Sequence, residues 1–415
     1  MKLGRRFNRA ARPYVVLALA SAFFIGIAGE RSDAHKPVTS KYDYNRDVFP
    51  LLRIHCARCH VPGGPAPMTL MTYNDAVPWA QAIRDEITAG RMPPWPGDPT
   101  SPRVKGGYPI NSRDLDMIVV WASGGTPQGD LGTKLPAVTF DPQWKLGPPD
   151  LLIPMDAEHT VVPGNMEETC DFSLPVPQSG VTDTKWVKAA DLMPGTASIV
   201  RDAVISIENG PALALWEPGS DATAAPSDAA FRLAPGSKIH LQIHYKKHFD
   251  QEQNAVSDKS TVGLYFTDPP PSGRELESFA IGPAQAGSPT DAASVGVAAH
   301  SDVLGREATG NPSESSSFAG TLPGAARIVA LRPMLDRAYE SLIVEAILPS
   351  GMRTPLLRLH GPRPQWPRRY WLEGPVALAG DTKIEVRVTP LSDYSEEPKA
   401  AKRFMLQVIL DYVPQ

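Results

Sequence analysis

Proline and glycine recur along this chain at intervals that restrict the length of any regular element. The 415 residues include 44 prolines and 33 glycines, and beyond about residue 135 no long stretch keeps a helical period free of them. Proline removes a backbone donor and glycine weakens a helix, so this spacing favours short strands joined by turns. The sequence therefore predicts a large antiparallel β part that follows a smaller helical part.

The helical part is expected within residues 42–130, where three stretches predict short helices: residues 47–52, 73–89 and 112–123. In the third stretch Ser112 suits the N-cap position, where a side-chain oxygen accepts a bond from the first turn. Apolar side chains recur there at helical spacing, which predicts a buried side made of Leu115, Ile118, Val119 and Trp121.

The β part is expected to form two tandem antiparallel, jelly-roll-like β-sandwiches, at residues 136–275 and 276–415. Its predicted strands alternate polar and apolar residues, or run apolar, at strand length between turn residues. They fall into two groups of four: residues 185–190, 199–207, 238–245 and 262–266, then residues 327–331, 341–348, 383–388 and 404–413.

The first 34 residues have the pattern of a cleaved secretion signal. Residues 2–12 are basic, residues 14–28 are almost wholly apolar, and small residues at 32–34 suit signal peptidase. The apolar run falls short of the ~20 residues that span a membrane. The sequence thus predicts a periplasmic or otherwise exported protein that contacts the membrane only if the leader is not cleaved.

The charge of the chain argues against nucleic acid as a partner. The whole sequence has 41 basic and 45 acidic residues. Residues 1–34 hold six of the basic and two of the acidic ones, which leaves a mature chain with a net charge near −8. An acidic protein repels a polyanion.

The motif C-x-x-C-H occurs once, at Cys56, Cys59 and His60. Two thiols one helical turn apart can bond to the vinyl groups of a haem, and the adjoining imidazole then binds the iron as proximal ligand. A redox dithiol or half of a zinc site is the alternative. A zinc site would need a second pair of ligands, and the remaining cysteine, Cys170, stands alone far downstream. That thiol is expected to be either buried or linked to another chain.

The sixth ligand of the iron should be a thioether or a second imidazole. We favour Met92, because residues 91–95 form a proline-stiffened loop between two predicted helices. Met68 and Met71 compete for this role, and all three methionines could instead pack around the porphyrin. His55 is expected at the surface or near the propionates. A thioether ligand raises the reduction potential, as in electron carriers.

Several short motifs follow one another along the β part. They are Trp-Lys-Leu-Gly-Pro-Pro-Asp at 144–150, residues 186–189 with Pro194 and Gly195, residues 241–245 and 349–351, Leu356, Leu357, Trp366, Tyr370, Pro375 and Gly380. In their order and spacing the chain resembles the bacterial relatives of the ascorbate-dependent type II copper monooxygenases. The animal members are peptidylglycine α-hydroxylating and dopamine β-monooxygenases. The bacterial relatives often carry a haem domain in front, with Met-Pro-Pro-Trp where this chain has residues 92–95.

This resemblance implies two sandwiches with one copper each, O2 activation and C–H hydroxylation. One copper would use a His-His pair plus the histidine of a Gln-x-His-Tyr strand, and the other a His-x-His plus a methionine. Here residues 199–204 read Ile-Val-Arg-Asp-Ala-Val and residues 332–336 read Arg-Pro-Met-Leu-Asp, so four histidines are missing. His244 and Met405 alone match ligand positions.

Copper is therefore not expected, because each site needs three donors and Arg201 adds a positive charge. His244 is expected as a hydrogen-bonded strand histidine and Met405 as a core thioether. Two other metal sites stay open as hypotheses. One would combine Met334 and Asp336 with Met405, and the other would use the evenly spaced histidines 240, 244 and 248 on one side of a strand.

The sequence predicts an exported c-type haem protein that transfers electrons to or from a periplasmic redox protein. Its sandwich pair would serve as a binding or docking module. One alternative is an active copper monooxygenase with substituted ligands, fed electrons by its own haem. Another is a structural subunit of a periplasmic redox complex. No feature of the sequence predicts an oligomeric state.

Overall fold

The structure is a computed structural model that describes residues 39–271, 273–283, 315–391 and 405–415. The predicted leader at residues 1–34 lies outside these ranges, as does residue 404 of the last predicted strand. Within the described ranges, no helix combines the length and the apolar character needed to cross a membrane.

The helical unit, residues 44–123, contains four α-helices: α1 Phe49–His55, α2 Tyr73–Ala76, α3 Ala80–Thr88 and α4 Ser112–Ser123. A π-type turn at Tyr44–Val48 precedes α1, and a 3-10 turn at Val77–Trp79 joins α2 to α3. The single helix predicted for residues 73–89 is therefore interrupted. Pro78 lies at the interruption, where it cannot donate the backbone bond that a continuous helix requires.

The predicted N-cap of α4 is wrong by one residue. Asn111 is the cap, and its side-chain oxygen accepts from the backbone N–H of Asp114 at 3.0 Å. Ser112 instead begins the helix. Of the side chains predicted to be buried, Ile118 and Trp121 are inaccessible to solvent, whereas Leu115 and Val119 are half-buried at the edge of the helical core.

The first β unit, residues 151–267, is built from two four-stranded antiparallel sheets, ordered β1-β10-β4-β7 and β3-β8-β5-β6, with β2 and β9 pairing separately. Its strands are β1 Leu151–Pro154, β2 His159–Val161, β3 Glu167–Pro175, β4 Lys185–Met193, β5 Val200–Ile207, β6 Ala212–Trp216, β7 Phe231–Leu233, β8 Lys238–Lys246, β9 Val256–Asp258 and β10 Thr261–Thr267. A 3-10 turn, Phe249–Gln251, follows β8. Both sheets contribute to one buried core, which includes Val187 and Ile243.

The second β unit, residues 277–414, repeats this plan with sheets ordered β11-β18-β13-β16 and β12-β17-β14-β15. Its strands are β11 Glu277–Ile281, β12 Ser316–Thr321, β13 Ala326–Met334, β14 Tyr339–Ile347, β15 Arg353–His360, β16 Tyr370–Leu378, β17 Lys383–Pro390 and β18 Gln407–Pro414. Its two sheets share a second core. The prediction of a mostly β protein with few helices and several antiparallel sheets is confirmed.

The three units pack against one another. Val329, Ala330, Trp371 and Val413 of the second β unit belong to the core of the first. The long loop between α3 and α4 crosses to the second β unit, where Gly97 pairs with Leu359 and Val104 with Leu372. The helical unit is thereby held in contact with both β units.

Candidate functional site

The C-x-x-C-H motif lies in a tight turn at the end of α1. Backbone bonds run from Cys56 N to Leu52 O at 2.8 Å, from Cys59 N to Cys56 O at 3.1 Å and from His60 N to Cys56 O at 2.9 Å. This helical continuation brings the two thiols and the imidazole together. Both cysteines are free and half-buried.

The imidazole of His60 is oriented by the backbone that follows it. Its Nδ1 donates to the carbonyl oxygen of Met68 at 3.1 Å, and the N–H of Leu70 returns to the carbonyl of His60 at 3.1 Å. The Nδ1 bond fixes the tautomer, so Nε2 carries the lone pair that a metal ion needs. Burial lowers the pKa of His60, which favours this neutral form.

The two thiols of the motif are protonated at neutral pH. Burial raises the pKa of Cys56 to about 12 and that of Cys59 to about 11, the latter in spite of the nearby charges of Arg201 and Arg58. Redox dithiols depend on a lowered thiol pKa. The environment of this pair therefore argues against a redox dithiol.

Three methionines lie in or against the helical core at different depths. Met71 is 4% exposed within the helical core, whereas Met68 and Met92 are half-buried at its edge. Val138 and Phe140 add further apolar surface at the same edge. Met68 is thus joined to the motif through its backbone carbonyl, and Met92 places a second thioether at the edge of the same core.

His55, the residue before the motif, is held by the last helix of the unit. Its Nε2 lies 2.9 Å from Asp114 Oδ2, and both side chains are mostly buried. This hydrogen bond joins the end of α1 to the start of α4, so His55 has a structural partner.

The first β unit contacts the motif through Arg58. Its guanidinium donates to the carbonyl of Gly219 at 2.6 Å and lies 3.2 Å from Asp221 Oδ2. Cys59 Sγ lies 3.6 Å from the carbonyl of Pro218. Gly219 has φ +74°, and a Cβ there would come within 2.8 Å of the Arg58 side chain. A glycine is therefore needed at this close approach.

A second contact joins the β unit to the attachment segment, residues 56–70. Arg201 donates to the carbonyl of Pro65, and His248 Nε2 lies 3.0 Å from the same oxygen. Burial lowers the pKa of Arg201 to about 10. The arginine that stands where the resemblance implied a copper ligand is thus a hydrogen-bond donor to the attachment segment.

His244 has carboxylates on both ring nitrogens. Nδ1 lies 2.8 Å from Asp202 Oδ2, and Nε2 lies 2.8 Å from Glu167 Oε1. Burial lowers the pKa of His244, but the bonds to these two carboxylates outweigh it and raise the pKa overall. The bond from His244 lowers the pKa of Glu167 to about 2. Both ring nitrogens thus face carboxylates, so in this geometry neither is free to bind a metal.

The other histidines of that strand do not join His244. His240 Nε2 pairs with Asp171 Oδ1 at 3.0 Å, and His248 lies beyond the end of β8 against Pro65. The hypothesis of one metal site shared by histidines 240, 244 and 248 therefore has no support in the geometry.

At residues 332–336, where the resemblance implies the ligands of a second copper, the structure has a cluster of charged side chains. Arg332 donates to Asp411 Oδ1 at 2.8 Å and Oδ2 at 2.9 Å, and Arg369 Nε donates to Oδ2 at 2.9 Å. Burial raises the pKa of Asp411, but the two arginines outweigh it and lower the pKa overall. Met405, expected as a core thioether, is 61% exposed because it lies before β18 begins, whereas Met334 is buried.

A cavity of about 60 Å³ lies where the three units meet. Trp95 and Tyr108 line it from the helical unit, Glu217 from the first β unit and Arg368 from the second. The Arg368 guanidinium pairs with Glu217 and lies 4.8 Å from the Trp95 ring and 5.0 Å from the Tyr108 ring. Arg58 covers the same Tyr108 ring at 5.2 Å, so a stack of cations and aromatic rings runs from the motif to the cavity.

Two polar atoms at this cavity, Glu217 Oε2 and Arg368 Nη1, are buried with no hydrogen-bond partner in the described part of the chain. A polar cavity of this size has room for water. Sequence patterns did not reveal Arg58, Glu217 or Arg368, since each contact joins residues more than a hundred positions apart.

No family model and no curated protein matches this chain. Solved structures with some likeness include allantoicase, at 9% identity over 60% of this chain and 78% of that chain, with TM-score 0.20. The PBSX exported protein XepA has 10% identity over 69% and 97%, with TM-score 0.17. The tandem CBM22 modules of Paenibacillus barcinonensis Xyn10C have 8% identity over 69% and 99%, with TM-score 0.15. At these TM-scores the likenesses carry no argument about function.

Proposed function

We propose that this chain is an exported c-type haem protein that transfers electrons, with its two β units acting as a docking module. The helical unit would be a c-type cytochrome domain and each β unit a jelly-roll-like sandwich. The observation that carries the proposal is the His60 imidazole, whose Nδ1 is bound by the Met68 carbonyl beside the thiols of Cys56 and Cys59. The partner would be a periplasmic redox protein.

The residues of the motif would hold the haem in separate roles. Cys56 and Cys59 would each form a thioether, and His60 would offer Nε2 to the iron while Met68 keeps its ring in place. The haem supplies one-electron chemistry. The apolar edge of the helical core would shield one side of it from water and so favour the reduced state.

Met92 is the better choice for the opposite side of the iron. The Met68 carbonyl binds Nδ1 of His60, on the far side of the ring from Nε2. The backbone of Met68 therefore lies behind the proximal ligand, whereas the distal ligand must come from the other side of the porphyrin. Met92 comes from a separate loop, at the edge of the same core.

Copper chemistry is not part of the proposal, because the chain's own donors are committed elsewhere. Both nitrogens of His244 bind carboxylates, and Arg201 binds the attachment segment. At the second position Arg332 binds Asp411. The same contacts support a structural role for the first β unit, since Arg201 joins it to the segment that would carry the haem.

Haem attachment is tested with the double variant Cys56→Ala, Cys59→Ala in the full-length chain, exported in a host that matures cytochromes c. Covalent haem staining is expected to vanish in the variant and to persist in the matched control Cys170→Ser. Elemental analysis of the wild-type protein is expected to give about one iron and no stoichiometric copper. Persistent staining of the double variant, or copper near two per chain, would contradict the proposal.

The distal ligand is tested with Met92→Leu against Met68→Leu. Met92→Leu is expected to change the reduced spectrum and lower the midpoint potential, because it removes a thioether that stabilises the ferrous state. Met68→Leu keeps the carbonyl that binds His60 and is expected to leave the reduced spectrum and the midpoint potential unchanged. The opposite outcome, in which only Met68→Leu changes the reduced spectrum and the midpoint potential, would assign the distal role to Met68.

A further inference from the structure

Three donor side chains of the first β unit converge at its surface. His159 begins β2, while Glu168 and Cys170 lie two residues apart on β3, and alternate residues of a strand share one face. One donor atom from each side chain lies within 4.8 Å of the other two. All three side chains are partly accessible to solvent.

Glu168 and Cys170 approach the same nitrogen of His159. Nε2 lies 2.7 Å from Glu168 Oε1 and 3.4 Å from Cys170 Sγ. One ring nitrogen has either a proton or a lone pair, so it cannot serve both partners fully. In a nucleophilic triad the thiol and the orienting carboxylate would bind opposite ring nitrogens. Convergence on one nitrogen therefore suits a shared cation better than a proton relay.

The spacing of the donors is close to that of a zinc site. Zinc binds sulfur, nitrogen and oxygen at about 2.0–2.3 Å, which places neighbouring tetrahedral ligands about 3.3–3.8 Å apart. The Nε2 to Sγ distance of 3.4 Å is already in this range. The Nε2 to Oε1 distance of 2.7 Å would have to open by about 0.6 Å, a small shift for a partly exposed glutamate.

Neighbouring residues hold the three donors in place. The His159 ring stacks on Tyr245 at 5.1 Å with an interplanar angle of 22°, and Phe172 meets its edge at 5.7 Å. Asn165 Nδ2 donates to Glu168 Oε2 at 2.7 Å, which directs the other carboxylate oxygen at the histidine. Such outer partners orient the ligands in protein metal sites.

We propose that His159, Glu168 and Cys170 form a zinc site with an open fourth position. A mixed set of nitrogen, oxygen and sulfur donors suits this borderline-soft ion, and three protein ligands leave room for a water. The thiolate and the carboxylate would balance the two charges of the cation, and the thiol proton would pass to solvent. This site is separate from the haem proposal and does not depend on it.

The site is tested on the full-length protein by zinc analysis after equilibration with zinc sulfate and dialysis. The wild type is expected to retain about one zinc per chain, and Cys170→Ser and His159→Gln to lose it. The matched control is His240→Gln, which removes a partly exposed histidine of β8 that is paired with Asp171, a residue of β3 like Glu168 and Cys170. The proposal would be overturned in favour of adventitious zinc if Cys170→Ser retained as much zinc as the wild type. It would also be overturned if His240→Gln lost as much zinc as the variants of the site.

A second measurement needs no variant. Alkylation of Cys170 by iodoacetamide, followed in its own peptide by mass spectrometry, is expected to slow about tenfold or more when zinc is added, because a metal-bound thiolate is shielded from the reagent. Magnesium is expected to give no protection, since it prefers oxygen ligands. An alkylation rate that saturating zinc leaves unchanged would refute the site even if the variants failed to fold.

Discussion

His244 lies in a buried cluster of charged side chains in the first β unit. His244 is 7% exposed, and its two nitrogens each bind a carboxylate. Asp202 is nearly inaccessible, so its bond to His244 compensates a buried negative charge. The sequence placed His244 on a strand, but only the fold brings Asp202 and Glu167 to opposite sides of its ring.

Replacing His244 by glutamine is expected to destabilise the protein by roughly 3 kcal/mol near pH 6, because it removes the charged ring that bonds to the buried carboxylate of Asp202 and to Glu167. The raised pKa of His244 gives stability that is fully present below 6.5 and is lost as the pH rises through the folded value. The pKa of Glu167, lowered from 4.5 to about 2, gives stability present above 4.5 and lost toward pH 2. The effect of the variant should therefore be largest between these limits.

Urea unfolding of the wild type and His244→Gln, at about pH 6 and about pH 9, measures this difference. His240→Gln is the control, because its ion pair with Asp171 is solvent-exposed and should contribute less than about 1 kcal/mol. A His244→Gln cost that is the same at both pH values would show that the imidazolium does not stabilise the fold.

At the level of elements, the sequence predicted the central strands and missed the edges. The eight stretches predicted as strands correspond to β4, β5, β8, β10, β13, β14, β17 and β18, which are the inner strands of the four larger sheets. Inner strands are paired on both sides and carry the apolar runs that a pattern search detects. Every outer strand of those sheets was missed.

The outer strands contain prolines and charged residues, which do not match the sequence pattern of a strand. β15 contains Pro355 and β16 contains Pro375, and both lie at sheet edges, where a proline costs no ladder bond. β3 begins with two glutamates and alternates half-buried and exposed residues. Charges and prolines on edge strands prevent pairing with other chains, and they also remove the strand signal from the sequence.

The attachment segment depends on a contact that no pattern in the sequence reveals. Arg201 lies on β5 and reaches the carbonyl of Pro65, 136 positions earlier in the chain. Replacing Arg201 by glutamine should loosen residues 56–70, because the shorter neutral side chain cannot maintain this bond. Amide hydrogen exchange in that segment is expected to rise about tenfold.

Arg232→Gln is the matched control for this experiment. Arg232 lies in the same β unit, but its ion pair with Glu275 is exposed at 3.8 Å, so exchange in residues 56–70 should not change. Should Arg201→Gln leave the exchange of the segment at the wild-type rate, the role of Arg201 in holding residues 56–70 would be wrong.

At the scale of the whole molecule, Arg369 links the two β units. It donates to the carbonyls of Ala212 and Leu213 on β6 at 2.6 Å each, and to Asp411 on β18 at 2.9 Å. Its guanidinium also lies 5.3 Å from the Phe231 ring of the first unit. Burial lowers the pKa of Arg369 to about 10, against the attraction of Asp411. One side chain thus compensates the negative charge of a buried carboxylate and joins the two β units by hydrogen bonds.

Replacing Arg369 by lysine tests this link, because a lysine keeps the charge but lacks the planar fork that reaches both carbonyls and Asp411 together. The expected cost is roughly 3 kcal/mol. Since the lost bonds join the two β units, differential scanning calorimetry should show one unfolding transition in the wild type and two in the variant. Arg337→Lys is the control, because Arg337 is 52% exposed and pairs with the neighbouring Asp336. A single transition with an unchanged midpoint in Arg369→Lys would mean that the apolar contacts of Val329 and Trp371 hold the units together without it.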